Sequence, residues 1–297
     1  MKILARKDKK YIYPGKKGQF ADMWRRLRRN KIAMLGLIII TIIILLAIFA
    51  DVIADYETQV IGQDPHNRLM PPSGSHPFGT DAFGRDLFSR VLHGARFSLS
   101  FGLGCTFLSL VGGCLFGASA AFFGGKVDNI IMRLVDVFIS IPSMLLALSM
   151  VAALGPGLRN LMIALVISNT PHFVRMIRVI VLTVVRQDYI EAAHASGVKD
   201  ARIIVSHVLP NAIGPIIINA MMSVSGVIIA ASGLSFIGMG IQPPAPEWGA
   251  MLNEAITFMR LHPHVVIFPG LAIVITALSI NLLGDGLTDA LDPRMKD

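Results

Sequence analysis

The sequence predicts an all-α protein that crosses a membrane six times. Hydrophobic residues make up 54% of the 297 residues and charged residues only 15%, whereas a soluble domain carries about 25% charged residues. The apolar residues also gather in long uncharged runs, and about 20 apolar residues are enough for one helix to span a bilayer. We therefore expect a large part of the protein surface to face lipid.

The six predicted membrane-spanning helices follow the uncharged runs. They cover residues 32–54, 97–122, 134–154, 159–177, 211–232 and 264–284. The fourth run has an uncharged core of only fifteen residues, so Arg159 and Arg175 must extend to opposite interfaces. Leaving this run out would give five helices and would place the C-terminus on the other side of the membrane.

The distribution of basic residues predicts the orientation of the helices. Twelve of the 27 Lys and Arg residues precede the first predicted helix, and with six helices 21 of them fall on the side of the N-terminus. Because basic residues are retained on the cytoplasmic side, both termini are predicted to be cytoplasmic. The net charge of +8 is then explained by anionic lipid headgroups rather than by nucleic acid, for which no aromatic and basic surface is evident.

The N-terminal segment 1–31 is predicted to remain as a basic cytoplasmic anchor, because the apolar run after it is longer than the core of a signal peptide. Phe20, Met23, Trp24 and Leu27 recur at spacings of three and four, which is typical of a helix lying in the inner interface. The rest of the chain is predicted to comprise the first transmembrane helix at 32–54, an external loop at 55–96, a five-helix core at 97–284 that includes a cytoplasmic loop at 186–210, and a cytoplasmic tail at 285–297.

The external loop is rich in turn-forming residues and contains Phe78, Phe83 and Phe88 at intervals of five. Charged residues alternate with these aromatic ones. The pattern predicts a folded cap over the outer mouth of the helices, and a disordered spacer is the alternative.

The search for catalytic and metal-binding residues is negative. No phosphate-binding G-x-x-x-x-G-K-[ST] loop and no H-E-x-x-H motif occurs. Cys105 and Cys114 lie nine positions apart, on opposite faces of one helix, and the pair His262 and His264 is typical of an interfacial loop. Ser235 has no histidine base within reach in the sequence. We therefore predict no catalytic residue, no metal and no cofactor bound by this chain.

Polar residues inside the predicted helices are candidates for a pathway or gate, because each is costly in lipid. Asp136 lies three residues after Arg133, so the two are predicted to form an ion pair near the end of the third helix, with a role in a gate as the alternative. Asn169 and Asn219 are predicted to line a path or to bond across helices. Pro142 and Pro171 are predicted to bend the third and fourth helices.

The cytoplasmic loop contains a short helix, predicted from Asp188 to Ser196, with the run Glu191-Ala192-Ala193 on a nearly smooth face. Gly197 can end this helix in the left-handed conformation, and Pro210 after Leu209 can begin the next helix. Such a helix is a poor core element and favours insertion into a groove of another protein. An ordinary interfacial loop is the alternative.

These residues resemble the EAA loop of ABC-importer permeases, which combines Glu191-Ala192-Ala193, Gly197 and Leu209-Pro210. His207 stands where the general pattern has isoleucine, but the His-x-Leu-Pro-Asn run that begins there is similar to the peptide-transporter branch. Further segments resemble that branch, namely Phe78-Gly79-Thr80-Asp81, Gly84-Arg85-Asp86, Gly233-Leu234-Ser235-Phe236-Ile237-Gly238, Gln242-Pro243-Pro244, Trp248-Gly249 and Asp289-Ala290-Leu291-Asp292-Pro293-Arg294. From about residue 18 to the end, the chain is similar to the C-type permease subunit of dipeptide/oligopeptide importers, a family that includes nickel importers.

The resemblance implies a type I ABC-importer permease fold in the bacterial cytoplasmic membrane. It also implies four kinds of partner: a second homologous permease chain, two ATPase subunits that use ATP, an external substrate-binding protein and a peptide substrate. The residues expected to contact the ATPase are Glu191, Ala192, Ala193, Gly197, His207, Leu209 and Pro210. The residues expected to contact the binding protein are Phe78, Asp81, Arg85, Asp86 and Trp248, on the external loop and the 238–262 loop.

Two other functions stay open at the level of sequence. Import of a nickel complex is compatible with the same family. A secondary transporter driven by an ion gradient would require ionisable residues at the membrane midplane and often two similar halves, and the sequence shows neither a clear repeat nor a central carboxylate.

Overall fold

The computed structural model describes residues 23–291, and this part of the chain is helical, with a single isolated β-bridge between Thr80 and Asp86. Residues 23–27 form a helical turn in which Trp24 is 47% exposed and Leu27 is buried. The basic tail, the first residues of the predicted interfacial helix and the last residues of the closing Asp-Pro-Arg motif lie outside the described residues.

Eleven α-helices follow that turn within the described part of the chain. They are α1 (Lys31–Ile48), α2 (Ala50–Ile53), α3 (Leu87–Phe123), α4 (Gly125–Ile139), α5 (Ser143–Leu154), α6 (Leu158–Val185), α7 (Asp188–Ala195), α8 (Asp200–Ile203), α9 (Leu209–Phe236), α10 (Trp248–Ala255) and α11 (His264–Leu291). Two π-helical turns, at Tyr56–Val60 and Ile204–Val208, and two 3₁₀ turns, at Pro65–Asn67 and Ile256–Phe258, complete the order.

Five helices among the described residues are long and apolar enough to cross a membrane, and the pair α4 and α5 makes a sixth candidate span that is bent by 80°. The third predicted helix, at 134–154, is thus divided in two, and the bend predicted at Pro142 is confirmed. The bend lies at Ser140–Pro142, where proline cannot continue the preceding helix. Pro171, in contrast, lies inside α6, which continues through it.

The observed helices are longer than the uncharged runs because charged residues are accommodated in pairs. α3 begins at Leu87 instead of residue 97, so the predicted loop end is helical. Asp86 caps this helix by accepting a hydrogen bond from the Ser89 N–H at 2.8 Å. Arg96, which was expected to end the loop, donates to the carbonyl oxygens of Ala47 and Ile48 at the end of α1.

Ion pairs between α4 and α6 extend these two helices in the same way. α4 begins at residue 125 rather than 134, and α6 ends at residue 185 rather than 177. Arg178 donates from Nε and Nη2 to the two carboxylate oxygens of Asp128, both at 2.5 Å. α11 likewise continues to residue 291, so residues 285–291, at the start of the predicted tail, are helical.

The contacts between helices show that the chain passes back and forth between two sides. α3 and α6 run parallel, because Ser109 bonds to the carbonyl of Val166 and Gly117 lies against Val174. The segment between them must return to the starting side, which only the bent pair α4 and α5 can do. This return makes the bent pair a crossing segment.

The other crossing helices alternate in direction. α9 runs antiparallel to α11, since Ser225 bonds to Asn281 at 2.6 Å while Met222 lies against Gly284. α1 is antiparallel to α11, since Ala33 lies against Gly286 and Gly36 against Ser279. The ends of the described chain, residues 23 and 291, therefore lie on the same side of the bundle.

Small residues allow α3 and α6 to pack closely. A Cβ atom at Gly117 would lie 2.6 Å from the Val174 carbonyl oxygen, and one at Gly113 would lie 2.5 Å from the Phe173 Cβ. Neither distance leaves room for a larger side chain. Such close packing is typical of small residues where membrane helices meet.

Candidate functional site

Two parts of the chain lie at opposite ends of the bundle, and they hold the residues predicted to contact partner proteins. We define the EAA segment as residues 186–208, between α6 and α9. We define the cap as residues 54–86 together with 237–263, which adjoin the first residues of α3 and α11.

The EAA segment begins with α7, an eight-residue helix. Asp188 and Glu191 lie in its first turn, where carboxylates favour the positive end of the helix dipole. Gly197 ends the helix with φ +75°, and the next N–H, of Val198, donates to the Ala193 carbonyl at 3.2 Å. A Cβ at Gly197 would meet no atom within 4 Å, so backbone conformation and not space requires glycine here.

α7 presents two faces of different character. Ile190 is buried and Ala193 half-buried in an apolar cluster that includes Ala118 of α3 and Ile216 of α9. Glu191 and Ala192 are exposed, as is Gly197. The helix is therefore anchored along one side and offers a small, smooth surface on the other.

The end of the EAA segment agrees with the prediction that Pro210 begins the next α-helix, since α9 starts at Leu209 with proline at its second position, but the residues before α9 are helical as well. The chain is helical without a break from Asp200 to Phe236, with the π-helical turn Ile204–Val208 directly before Leu209 and Pro210. The Leu209 N–H donates to Ile204, five residues back. The wider turn suits this position because proline has no N–H with which to continue the regular ladder. His207 and Leu209 are half-buried and Pro210 is exposed.

The cap is held by a buried group of four charged side chains. Arg85 donates from Nε to Asp81 at 2.6 Å and from Nη2 to Glu254 at 2.7 Å. Arg90, from the first turn of α3, lies 3.1 Å from Asp81 and donates to Glu254 at 3.0 Å. The two arginines are 2% and 1% exposed. The group therefore ties the loop 54–86 to α3 and α10.

Burial raises the pKa of the Glu254 carboxyl above its ordinary value. The positive charge of Arg85 opposes this rise, and the negative charge of Asp81 adds to it. The Arg85 guanidinium thus favours the ionised form of Glu254, against the effect of burial.

Most residues predicted to contact a binding protein support the cap from within. Asp81, Arg85 and Trp248 are buried, and the indole N–H of Trp248 donates to the Val91 carbonyl at 3.0 Å. These three side chains are largely enclosed within the cap, and their contact with a binding protein stays a prediction. Asp86 is engaged as the helix cap and lies 2.9 Å from the His76 imidazole.

Phe78, the fifth predicted contact, is half-buried and also joins parts of the cap. Its ring stacks on Phe268 of α11 with centroids 3.9 Å apart and meets Phe88 edge to face at 5.1 Å. The large apolar side chains of the cap that are exposed are Met70, Phe83, Ile237, Ile256, Met259 and Leu261.

The pathway candidates lie on the α4, α6 and α9 helices and are satisfied locally. Asp136 pairs with Arg175 of α6, not with Arg133 as predicted. The helices α4 and α6 lie side by side, which brings Arg175 within reach. The amide groups of Asn169 and Asn219 donate to carbonyls four residues back, at 2.8 and 2.9 Å.

Four charged residues with important contacts were not identified from the sequence. Arg90 and Glu254 make buried contacts in the cap, and Asp128 and Arg178 make a bidentate contact between α4 and α6. Arg90 and Arg178 were taken as loop residues because charge was used to delimit helices. The signal available was the isolation of Glu254 in an apolar stretch, since a lone carboxylate there requires a cationic partner.

Family comparisons place these features in context. A family profile described as "Binding-protein-dependent transport system inner membrane component" matches residues 113–297. A second, described as "N-terminal TM domain of oligopeptide transport permease C", matches residues 18–72.

Individual proteins show the same similarity over almost the whole chain. The dipeptide transport system permease protein DppC of Alkalihalophilus pseudofirmus is 44% identical over 275 residues. The glutathione transport system permease protein GsiD of Escherichia coli O6:K15:H31 is 45% identical over 275 residues. Each alignment covers 93% of this chain and 90% of the relative.

Among solved structures, the inward-facing MetNI methionine ABC transporter contains a similar chain, with a TM-score of 0.56 at 19% identity. The match covers 68% of this chain and 97% of that one. It is a likeness of fold.

Proposed function

This chain belongs to the family of binding-protein-dependent transport system inner membrane components, as a permease of the dipeptide/oligopeptide ABC-importer type, and we propose that it forms part of the path by which peptides enter the cell. It is an inner-membrane transporter component. The proposed substrates are di- or oligopeptides, including small thiol peptides of the glutathione kind. The observation that carries the proposal is 44–45% identity to dipeptide and glutathione permeases over 93% of the chain.

We propose that the energy comes from ATP hydrolysed by two separate ATPase subunits seated on the EAA segment. The exposed face of α7 supports this, because Glu191 and Ala192 offer a narrow ridge without large side chains. Such a ridge fits a groove in a partner. ATP binding would draw α7 and the corresponding helix of the second permease together. The membrane-spanning helices would then move between an inward-open and an outward-open state.

We propose that the cap faces the substrate-binding protein and that a second, homologous permease completes the path. The location of the cap supports its role, because it lies at the end of the bundle opposite to the EAA segment. With three of the predicted contacts buried, the proposed contact surface also includes exposed side chains such as Met70, Phe83, Met259 and Leu261.

Co-purification tests the seat of the ATPase. Glu191→Lys and Gly197→Pro are each expected to release the ATPase subunits from the solubilised complex. Glu57→Lys, the same charge reversal on an exposed cap residue, is expected to retain them. Gly197→Asn is also expected to retain them, because asparagine tolerates the left-handed conformation. Retention of the ATPase by the first two variants would show that the EAA segment is not its seat.

Uptake by reconstituted vesicles tests the substrate and the energy source. Labelled dipeptide should accumulate only when permeases, ATPases, binding protein and ATP are all present. Accumulation driven by an ion gradient without ATPase would identify a secondary transporter. The substrate classes are then ranked by adding unlabelled dipeptide, glutathione or a chelated nickel ion as competitors of the labelled dipeptide. Competition by the nickel chelate alone would contradict the proposed peptide substrate.

A further inference from the structure

Few side chains attach α7 to the bundle. Their contacts therefore determine how a displacement of α7 is transmitted to the membrane-spanning helices. Ile190 and Ala193 provide the apolar anchor. Glu191 and Ala192 point away from the bundle and contribute surface only. A further contact is made by His194, in the last turn of the helix, whose side chain is 46% exposed.

The imidazole of His194 is held between two other elements. Its ring stacks on Phe122 with centroids 5.3 Å apart and an angle of 24° between the planes. On another side, His194 Nδ1 lies 3.6 Å from a carboxylate oxygen of Asp200, the first residue of α8. Alanine side chains at neighbouring positions of α7 are too short for either contact.

Phe122 belongs to the last turn of α3, which connects the two ends of the molecule. This helix has 37 residues and is therefore about 55 Å long. At its first turns, Arg90 joins the buried charged group of the cap and Val91 accepts the bond from Trp248. A displacement of the inner end of α3 is thus passed to the cap along one continuous helix.

We propose that His194 is a positioning residue that fixes the coupling helix to the inner end of α3, so that movement of α7 is transmitted through Phe122 to α3 and the cap. The proposal rests on the proposed function, since it presumes that α7 is moved by an ATPase. Stacking of His194 on Phe122 restricts the orientation of α7 relative to α3, because aromatic rings favour particular mutual orientations. Apolar contacts alone do not impose such a restriction. Asp200 adds a longer, half-exposed contact to the imidazole.

The test measures the ratio of ATP hydrolysed to peptide accumulated by the complete transporter in proteoliposomes. His194→Ala is expected to raise this ratio by about threefold, because hydrolysis continues while less movement reaches the spanning helices. Phe122→Ala is expected to have the same effect, and the double variant no more than either single one, since both remove the same contact.

Conservative variants separate positioning from stability. His194→Phe keeps a ring over Phe122 and is expected to restore the ratio to near the wild-type value. Asp200→Asn is expected to change the ratio less than His194→Ala does, because the contact between His194 and Asp200 is half exposed and long. Ser196→Ala is the control, since the Ser196 hydroxyl bonds only within the same helix, to Ala192.

Three results would overturn the role of His194. They are an unchanged ratio in His194→Ala, a ratio in His194→Phe that is as high as in His194→Ala, and loss of the ATPase subunits from either variant, which would assign the residue to docking. A wild-type assembly that hydrolyses ATP without accumulating peptide is a distinct result. It would contradict the proposed function itself, and this proposal with it.

Discussion

At the scale of single residues, paired charges decide where the cap sits. Asp81, Arg85, Arg90 and Glu254 come from three separate elements and share one buried place. Breaking a buried pair by removing one partner costs more than the pair itself contributes, because the remaining charge loses its compensation. Substitution of any of these four residues is therefore expected to destabilise the cap, although the sequence did not indicate that they form one group.

We predict that Arg85→Leu destabilises the cap by about 3 kcal/mol and that the loss grows with pH. Arg85 opposes the rise in the pKa of Glu254, so its removal raises that pKa further. A carboxyl with a raised pKa in the folded state stabilises the fold when protonated, and this contribution is lost as the pH rises through the folded-state pKa. The measurement is thermal unfolding of the purified protein at pH 5 and pH 8, with the larger decrease in Tm expected at pH 8.

Arg68→Leu is the matched control for this variant. Arg68 is an exposed cap arginine that donates to the Ala82 carbonyl at 2.6 Å. Its replacement is expected to cost less and to show no added dependence on pH. Equal effects of the two substitutions would show that the buried group does not hold the cap.

At the scale of elements, the pairing of α4 with α6 explains both the broken span and the extended helices. α4 cannot continue straight beyond Ile139 because of Pro142, and it is attached to α6 by two ion pairs. The pair of Asp128 and Arg178 is less exposed than the pair of Asp136 and Arg175. The two pairs thus provide a comparison within one interface.

We predict that Asp128→Asn lowers stability by about 1–2 kcal/mol and Asp136→Asn by less than about 1 kcal/mol. The reason is that solvent screens the more exposed pair and leaves the bidentate pair stronger. Thermal unfolding of the two variants side by side measures the difference. The exchanged double variant Asp128→Arg with Arg178→Asp should recover part of the loss, and no recovery would indicate that the pair does not attach α4 to α6.

At the scale of the whole molecule, six crossings place the cap and the EAA segment on opposite sides of the membrane. The parallel course of α3 and α6 supports this arrangement, because it requires the bent pair to cross. The absolute orientation is a separate prediction, based on the excess of basic residues on the side of the N-terminus.

We predict that Ser196→Cys reacts with a membrane-impermeant maleimide only in inside-out vesicles, and Ser75→Cys only in right-side-out vesicles. Both positions are exposed, and the background carries alanine at Cys105 and Cys114. Labelling of both in the same vesicles would contradict six crossings. A reversed pattern would keep the six crossings and contradict the cytoplasmic placement of the termini.

The amino-acid sequence by itself determined that the chain crosses a membrane, that α7 ends at Gly197, and which family motifs it carries. These features depend on local composition: apolar runs favour lipid, and a left-handed helix end favours glycine. Tertiary structure alone decided where the spanning helices end, which carboxylate each arginine meets, and that Trp248 and Arg85 are buried. The physical reason is that an unpaired charge marks the end of a membrane helix, whereas a paired one can continue inside it, and partners such as Arg85 and Glu254 lie 169 positions apart in the chain.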